Sequence, residues 1–183
     1  MDPQGDSGTG LRPESFRIRE AVHHVGYGSG HLRDQMAEDK DWIPAMHMIW
    51  KTFLKFEAVD YTEEGIRNFY DFITDEHLYK SFLQGRYQMM VALDGERVIG
   101  AASVRNYNHL SLLFVDEEYH HRGIGRDLMR RMCEYLKKEE GERYMSLKAA
   151  PYAVEFYRKL GFHAVHEEEA FSGIRVTPME KFL

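Results

Sequence analysis

The sequence has a single cysteine, Cys133, among its 183 residues, so the chain cannot form an internal disulfide. A lone cysteine favours a reducing compartment, and we expect a cytoplasmic location. No apolar run reaches the ~18 residues that a membrane-spanning helix needs, which predicts that the protein has no membrane partner. Residues 1–15 also lack the apolar segment of a signal peptide.

Positive charge is scarce as well. The 24 lysines and arginines are outnumbered by 30 aspartates and glutamates, which gives a formal net charge of -6. An acidic chain is a poor candidate for binding the phosphate backbone of nucleic acid. The ten histidines include two adjacent pairs, His23 with His24 and His120 with His121, and adjacent residues lack the spacing of metal ligands. The composition therefore predicts neither a nucleic-acid partner nor a bound metal.

The length and the 43% hydrophobic content suit one soluble domain with a sizeable core. The N-terminal region is rich in glycine, serine and proline, so we expect residues 1–30 to form a disordered tail and residues 31–183 to form the domain. A first strand is expected at 31–36, with 16–22 as the alternative. This strand leads directly into a helix that starts near Asp41.

The order of the predicted elements indicates an α/β fold. A second helix begins at Thr62, whose hydroxyl can cap it. A hairpin turns at Asp94 and Gly95, where both central residues are expected to have positive φ. A strand–loop–helix–strand–helix unit and two closing strands follow, with the strands of that unit at 109–116 and 144–150 and its second helix at 151–162. A strand–helix–strand unit of this kind implies a sheet with a parallel pair.

The segment HHRGIG at 120–125 joins an apolar strand to a helix. The first N–H groups of a helix have no partner within it, and glycines let a phosphate approach them closely. Arg122 and Arg126 add positive charge, so the segment predicts an anion site; a simple tight turn is the alternative. It is not a P-loop, because no G-x-x-x-x-G-K-[ST] pattern occurs. It is not a dinucleotide fingerprint either, because Leu128 holds the position of the third glycine.

A second motif, AVEFYRKLGF, occupies residues 153–162. Together with HHRGIG it resembles the GNAT superfamily of acyl-CoA-dependent N-acyltransferases, although His120 replaces the usual glutamine or arginine. The resemblance covers residues 32–183. It implies a mixed, mostly antiparallel sheet flanked by helices, and a splayed pair of strands that binds acyl-CoA. It also implies that acetyl-CoA is the co-substrate and that the two early helices and the last loop build the acceptor pocket.

The resemblance also implies roles for individual residues. An N–H group within residues 113–115 would bind the oxyanion, and Tyr157 would protonate the leaving thiolate, unless it is only a core aromatic. The position nearest to a family base is His109, whose alternative is a solvent-facing strand end. Asp116, Glu117 and Glu118 are further candidates for a base that acts through water. The residues expected to bind the co-substrate are Leu113, Phe114, Val115, His121, Arg122, Gly123, Ile124, Gly125 and Arg126.

Three functions remain open from the sequence. The first is an enzyme that transfers the acetyl group of acetyl-CoA to a primary amine of a small molecule or peptide, by direct attack in a ternary complex. The second is a catalytically silent acyl-CoA-binding regulatory module, and the third is another phosphate binder that shares only the turn. Tyr157 and the two glycines favour the enzyme. The sequence leaves open whether the protein forms a homodimer.

Overall fold

The computed structural model describes residues 32–171 and 173–183, and the predicted tail with its alternative strand at 16–22 lies outside them. The strands are β1 (Leu32–Met36), β2 (Gln88–Asp94), β3 (Arg97–Arg105), β4 (His109–Val115), β5 (Tyr144–Ala149), β6 (His163–Ala164), β7 (Glu169–Phe171) and β8 (Ile174–Phe182). The helices are α1 (Asp39–Phe56), α2 (Glu63–Ile73), α3 (Glu76–Leu83), α4 (Ile124–Lys138) and α5 (Val154–Lys159).

The strands form one twisted layer in the order β1-β2-β3-β4-β5-β8-β6, with β7 added to β8. All of these pairs are antiparallel except β4 with β5, which the crossover through α4 makes parallel. This arrangement confirms the predicted mixed, mostly antiparallel α/β sheet. The first strand falls within the expected range 31–36.

Each face of the sheet is covered by its own group of helices. On one face, α1 packs Trp42, Ile49 and Phe53 against the strands, and the aromatic residues of α2 pack beside them. On the other face, α4 buries an apolar stripe that includes Leu128 and Met132. The two helical layers therefore bury both sides of β3, whereas buried residues alternate with half-buried ones along β4.

Several local details depart from the predictions. The hairpin pairs Asp94 with Arg97, so its two central residues are Gly95 and Glu96, and only Gly95 has positive φ (61°). The predicted second helix is two helices, because the Asp75 side chain accepts a hydrogen bond from the His77 N–H (2.8 Å) and starts α3. The end of the chain forms three strands rather than two. The cap at Thr62 is confirmed, since its hydroxyl accepts from the Gly65 N–H at 3.0 Å.

A buried ion pair ties the first strand to α4. Asp34 Oδ2 lies 3.0 Å from Arg131 Nε, and both side chains are almost fully buried. We expect Asp34→Ala to lower the free energy of unfolding by about 3–5 kcal/mol, because it leaves the arginine charge buried without its carboxylate. The neighbouring exposed pair between Arg130 and Glu134 provides the control, and Glu134→Ala should cost less than about 1 kcal/mol. Equal losses for the two variants in urea unfolding would contradict this account.

Candidate active site

The central feature of the site is a gap between β4 and β5. These parallel strands pair at a single position, His109 with Ser146, and no further pair joins them in the described chain. A bulge in β4 accompanies the separation: Ser103 pairs with Leu112 and Val104 with Leu110, so Ser111 is an extra residue. Because a bulge bends its strand, β4 turns away from β5. The two strands form opposite walls of a cleft of about 1000 Å³.

The edge of β4 presents backbone groups to this cleft. The N–H of Asp116 bonds to the Ile99 carbonyl on β3 at 2.8 Å. Alternate residues of an antiparallel strand direct their polar groups to opposite sides, so those of Leu113 and Val115 face the gap. The Val115 carbonyl indeed points away from β3, since it accepts a hydrogen bond from His120 Nε2 at 2.7 Å. His120, which departs from the motif, thus fastens the glycine loop to β4.

The glycine loop closes one end of the cleft. Gly123 adopts a left-handed conformation with φ = 82° and caps α4 without a side chain. The Asp127 N–H makes the first helical hydrogen bond, to the Gly123 carbonyl at 3.0 Å, so the N–H groups of the residues between them have no helical partner. A Cβ at Gly125 would lie 3.6 Å from Val115 and 3.7 Å from Phe156, across the mouth of the gap. The loop therefore has the form of an anion cradle that a larger side chain would fill.

The cleft contains most of the residues that the sequence singled out. It is lined by all nine residues predicted to bind the co-substrate, namely Leu113, Phe114, Val115, His121, Arg122, Gly123, Ile124, Gly125 and Arg126. Tyr157 of α5 also lines it and is only 9% exposed, with its ring packed on Phe156 and Phe162. Burial, together with the charge of Glu57, raises the pKa of Tyr157 above its ordinary value. Its hydroxyl therefore keeps its proton at neutral pH and can act as a donor.

Glu57 is the residue that sequence reasoning missed. It follows α1 directly, and its N–H bonds to the Phe53 carbonyl at 2.9 Å, which places its half-buried side chain in the cleft. Burial raises the pKa of its carboxyl, and the nearby Tyr152 hydroxyl partly offsets this effect. A carboxylate with a raised pKa is a stronger base than one in water. The only signal in the sequence was an acidic residue flanked by Phe56 and Ala58.

His109 lies in a different place. It lines an adjoining cleft of about 270 Å³, which shares Tyr61, Phe69 and Ser111 with the larger one but does not include Tyr157. Its Nδ1 is 2.9 Å from the Ser146 hydroxyl. Burial, and then the charges of Arg105 and Lys148, lower the pKa of His109 to about 4. The side chain is thus neutral at pH 7 and only weakly basic.

We expect the rate ratio of wild type to His109→Ala to stay flat from about pH 6 to about pH 9, the range that spans an ordinary histidine titration and approaches that of an amine. The reason is that a weakly basic group outside the Tyr157 cleft contributes little to removing the amine proton. The measurement is kcat against pH on both proteins. A ratio that falls as pH rises would restore His109 as the base.

The other proposed bases are engaged elsewhere. The Asp116 carboxylate is buried, accepts from the Glu118 N–H at 3.1 Å and pairs with Arg97 at 3.1 Å. Glu117 forms an ion pair with Lys55. Glu118 forms an ion pair with Arg97 at 2.8 Å, and none of the three carboxylates lines the cleft. In the described part of the chain, no group of three histidine, cysteine or acidic side chains is placed to hold a metal ion. None of the described helices combines the length and apolarity needed to cross a membrane.

Comparison with solved structures supports the same fold. A GCN5-related N-acetyltransferase from Rhodopseudomonas palustris superposes with a TM-score of 0.69 at 24% identity, covering 88% of this chain and 100% of its own. The PaiA N-acetyltransferase from Thermoplasma acidophilum, solved with coenzyme A, gives 0.70 at 20% identity over 83% and 99% of the two chains. The ribosomal-protein-S5-alanine acetyltransferase from Vibrio fischeri gives 0.62 at 13% identity over 88% and 96%.

Sequence comparison identifies the family. No curated protein matches the chain at a significant level. The family model described as the acetyltransferase (GNAT) domain matches residues 57–183, which begins at Glu57 and includes both the glycine loop and Tyr157. This match covers more than half of the chain. The protein therefore belongs to the GNAT acetyltransferase family and is an acyltransferase.

Proposed function

We propose that the protein transfers the acetyl group of acetyl-CoA to a primary amine of a small molecule or peptide, by direct attack within a ternary complex. The observation that carries this proposal is the single cleft between β4 and β5. It combines an anion cradle at one end with a buried tyrosine and a carboxylate on its wall. The Vibrio fischeri neighbour, whose name specifies an alanine of a ribosomal protein, illustrates a peptide amine as acceptor.

Binding would use backbone groups first. An open strand edge can pair with an extended chain of amides, so Leu113 and Val115 of β4 are suited to the amide-containing arm of acetyl-CoA. The free N–H groups at the start of α4 are suited to its pyrophosphate, with Arg122 and Arg126 supplying charge. Both contacts rely on backbone, which explains why the replacement of the usual motif residue by His120 is compatible with binding.

In the transfer the nitrogen loses two protons and the sulfur gains one. An amine of pKa about 10.4 is mostly protonated at pH 7, so a base must first take one proton from the ammonium and pass it to solvent, and then accept the second proton as the neutral nitrogen attacks the thioester carbon. We assign this role to Glu57. A β4 N–H group stabilises the oxyanion. As the carbon–sulfur bond breaks, Tyr157 gives its proton to the sulfur. Glu57 lines the same cleft as Tyr157, and the proton that it has taken returns through the solvent of the cleft to restore the phenol.

The glycine loop gives a direct test of co-substrate binding. Gly125→Leu keeps a good helix former in α4 but places a branched side chain across the gap between Val115 and Phe156. We expect acetyl-CoA affinity, measured by calorimetry, to fall at least ~10-fold, or about 1.4 kcal/mol, with an unchanged thermal midpoint. Gly125→Ala is the matched control, because its Cβ would meet only ordinary van der Waals contacts. If the leucine variant bound acetyl-CoA as the wild type does, the cradle would not be the binding site.

The enzymatic function is tested by turnover. Wild-type protein is incubated with acetyl-CoA and a panel of polyamines, amino acids, aminoglycosides and peptides, and free thiol is measured. We expect release of thiol above the acceptor-free rate with at least one acceptor, and loss of that release in Gly125→Leu. Binding without turnover across the panel would favour the silent acyl-CoA-binding module instead.

A further inference from the structure

The smaller cleft beside the proposed transfer site has the features of an acceptor pocket. It lies on the α1–α2 face of the sheet and is walled by α2, the ends of β3 and β4, and β7 with β8. Tyr61, Phe69 and Ser111 line both clefts, so a ligand can extend from one into the other. Its volume of about 270 Å³ suits a small molecule.

A cation without a carboxylate partner faces this pocket. Arg105, the last residue of β3, is half-buried and pairs across the sheet with His109. Its Nε is buried and has no hydrogen-bond partner in the described chain, and none of the described carboxylates forms an ion pair with it. A buried polar group of this kind needs a partner, and a guanidinium is shaped to bind a carboxylate with two hydrogen bonds.

The remaining groups leave the pocket positively charged. Lys148 also lines it, but its Nζ lies 3.2 Å from Glu169 Oε1, so its charge is largely balanced. None of the described acidic side chains lines the pocket, and His109 is neutral at pH 7 because its pKa is lowered to about 4. The charge of Arg105 therefore remains available to a ligand. A polycation would meet repulsion here.

The two clefts together offer an acidic side chain and, within the described chain, an unpaired basic one. Glu57 carries the carboxylate in the larger cleft, and Arg105 carries the cation in the smaller one. The rings of Tyr61 and Phe69, which pack on Phe53, line both clefts and give them a shared apolar surface. A molecule with an ammonium at one end, an apolar body and an anion at the other end would complement Glu57, this apolar surface and Arg105.

We propose that the acetyl acceptor is a small amino acid with an apolar or aromatic body, whose carboxylate binds Arg105 while its amine points to Glu57. This inference rests on the proposed transfer reaction for the identity of the amine. The carboxylate site itself depends only on Arg105 and the pocket around it. Arg105 is accordingly a specificity residue and takes no part in the chemical step.

The test compares matched pairs of ligands that differ in the carboxylate. Binding to the full-length protein in the presence of CoA is measured by calorimetry for L-phenylalanine against L-phenylalaninamide, and for 5-aminopentanoate against pentylamine. We expect the acid to bind at least ~10-fold more tightly than its partner in at least one pair, and more tightly than spermidine. If neither pair shows a preference, or if spermidine binds best, the inference is wrong.

Substitutions test whether Arg105 causes the preference for a carboxylate. Arg105→Gln should abolish the difference between acid and neutral ligand, and Arg105→Lys should retain part of it. Arg67→Gln removes the same charge from the exposed side of α2, outside the pocket, and should leave the difference unchanged. Thermal midpoints show that each variant is folded. A preference that survived in folded Arg105→Gln would overturn the assignment.

Turnover separates this inference from the function on which it rests. If acids bind through Arg105 but release no thiol from acetyl-CoA, the transfer reaction is wrong while the carboxylate site stands. If amides and alkylamines are acetylated as well as the acids are, the transfer reaction stands and the carboxylate site is wrong.

Discussion

A Tyr157→Phe variant should bind acetyl-CoA normally and yet transfer acetyl groups slowly. The substitution removes one hydroxyl and keeps the ring, which packs between Phe156 and Phe162. If the phenol protonates the leaving thiolate, kcat should fall by roughly 10²–10⁴-fold, the usual scale for a positioned acid. Affinity for acetyl-CoA should change little, because the cradle at the start of α4 is untouched.

Two measurements make this prediction specific. The thermal midpoint and kcat are determined on the same preparation, since a purely structural hydroxyl would lower stability and leave the activity of the folded protein near wild type. Tyr152→Phe is the matched variant, because Tyr152 lines the same cleft and interacts with Glu57. A larger loss of kcat in Tyr152→Phe than in Tyr157→Phe would move the role of acid to Tyr152.

Glu57→Gln should produce a second large loss that depends on pH. The variant keeps the size of the side chain but cannot accept a proton, so we expect kcat at pH 7 to fall by about 10²–10⁴-fold. The loss should shrink as pH rises toward the pKa of the amine, about 10.4, because the acceptor then deprotonates in solution. In the wild type, activity should fall as pH drops through the raised pKa of Glu57, and the variant should lack this inflection.

Glu57→Gln should lower activity without lowering the stability of the fold. The folded protein raises the pKa of Glu57, chiefly by burial, so the charged form destabilises the fold at neutral pH. Stability contributed by this group is therefore present at low pH and lost as pH rises through the folded pKa. Glu57→Gln should melt at the same temperature as wild type or higher. Asp60→Asn, at an exposed carboxylate three residues along the chain, is the control. The charge of Asp60 is the smallest of the causes that act on the pKa of Glu57, so this variant should shift the inflection slightly toward lower pH and leave kcat at pH 7 and the thermal midpoint near wild type.

If Glu57→Gln and Asp60→Asn had the same activity across the pH range, Glu57 would not be the base. His109 would then be the remaining candidate, and the flat pH ratio expected for His109→Ala would have to fail as well. The Glu57 and His109 variants therefore test independently which residue is the general base.

The sequence could predict the parts of this protein that depend on local patterns. The cap at Thr62 needs only a hydroxyl three residues before the N–H that it accepts, at Gly65. The cradle needs only glycines at the junction of a strand and a helix, and residues 123–126 do line the cleft. The βαβ unit around α4 follows from the spacing of apolar residues.

The rest depends on contacts between distant parts of the chain. The position of the bulge at Ser111 is set by the pairing of β4 with β3, and no turn residue marks it. Glu57 reaches the cleft only because α1 ends beside residues that lie about 100 positions later in the chain, such as Tyr152 and Tyr157. Arg105 likewise has the sequence pattern of an ordinary charged residue at a strand end, and only the fold shows that its Nε is buried.

The most direct test of the account is the fate of the acetyl group. Wild type, Gly125→Leu and Tyr157→Phe are each incubated with acetyl-CoA and the acceptor panel, and free thiol and acetylated amine are measured together, the amine by mass spectrometry. We predict that the wild type forms the two products in equal amounts and that both variants lose them, with acetyl-CoA binding lost only in Gly125→Leu. Tight binding of acetyl-CoA by the wild type with no acetylated amine from any acceptor would contradict the account.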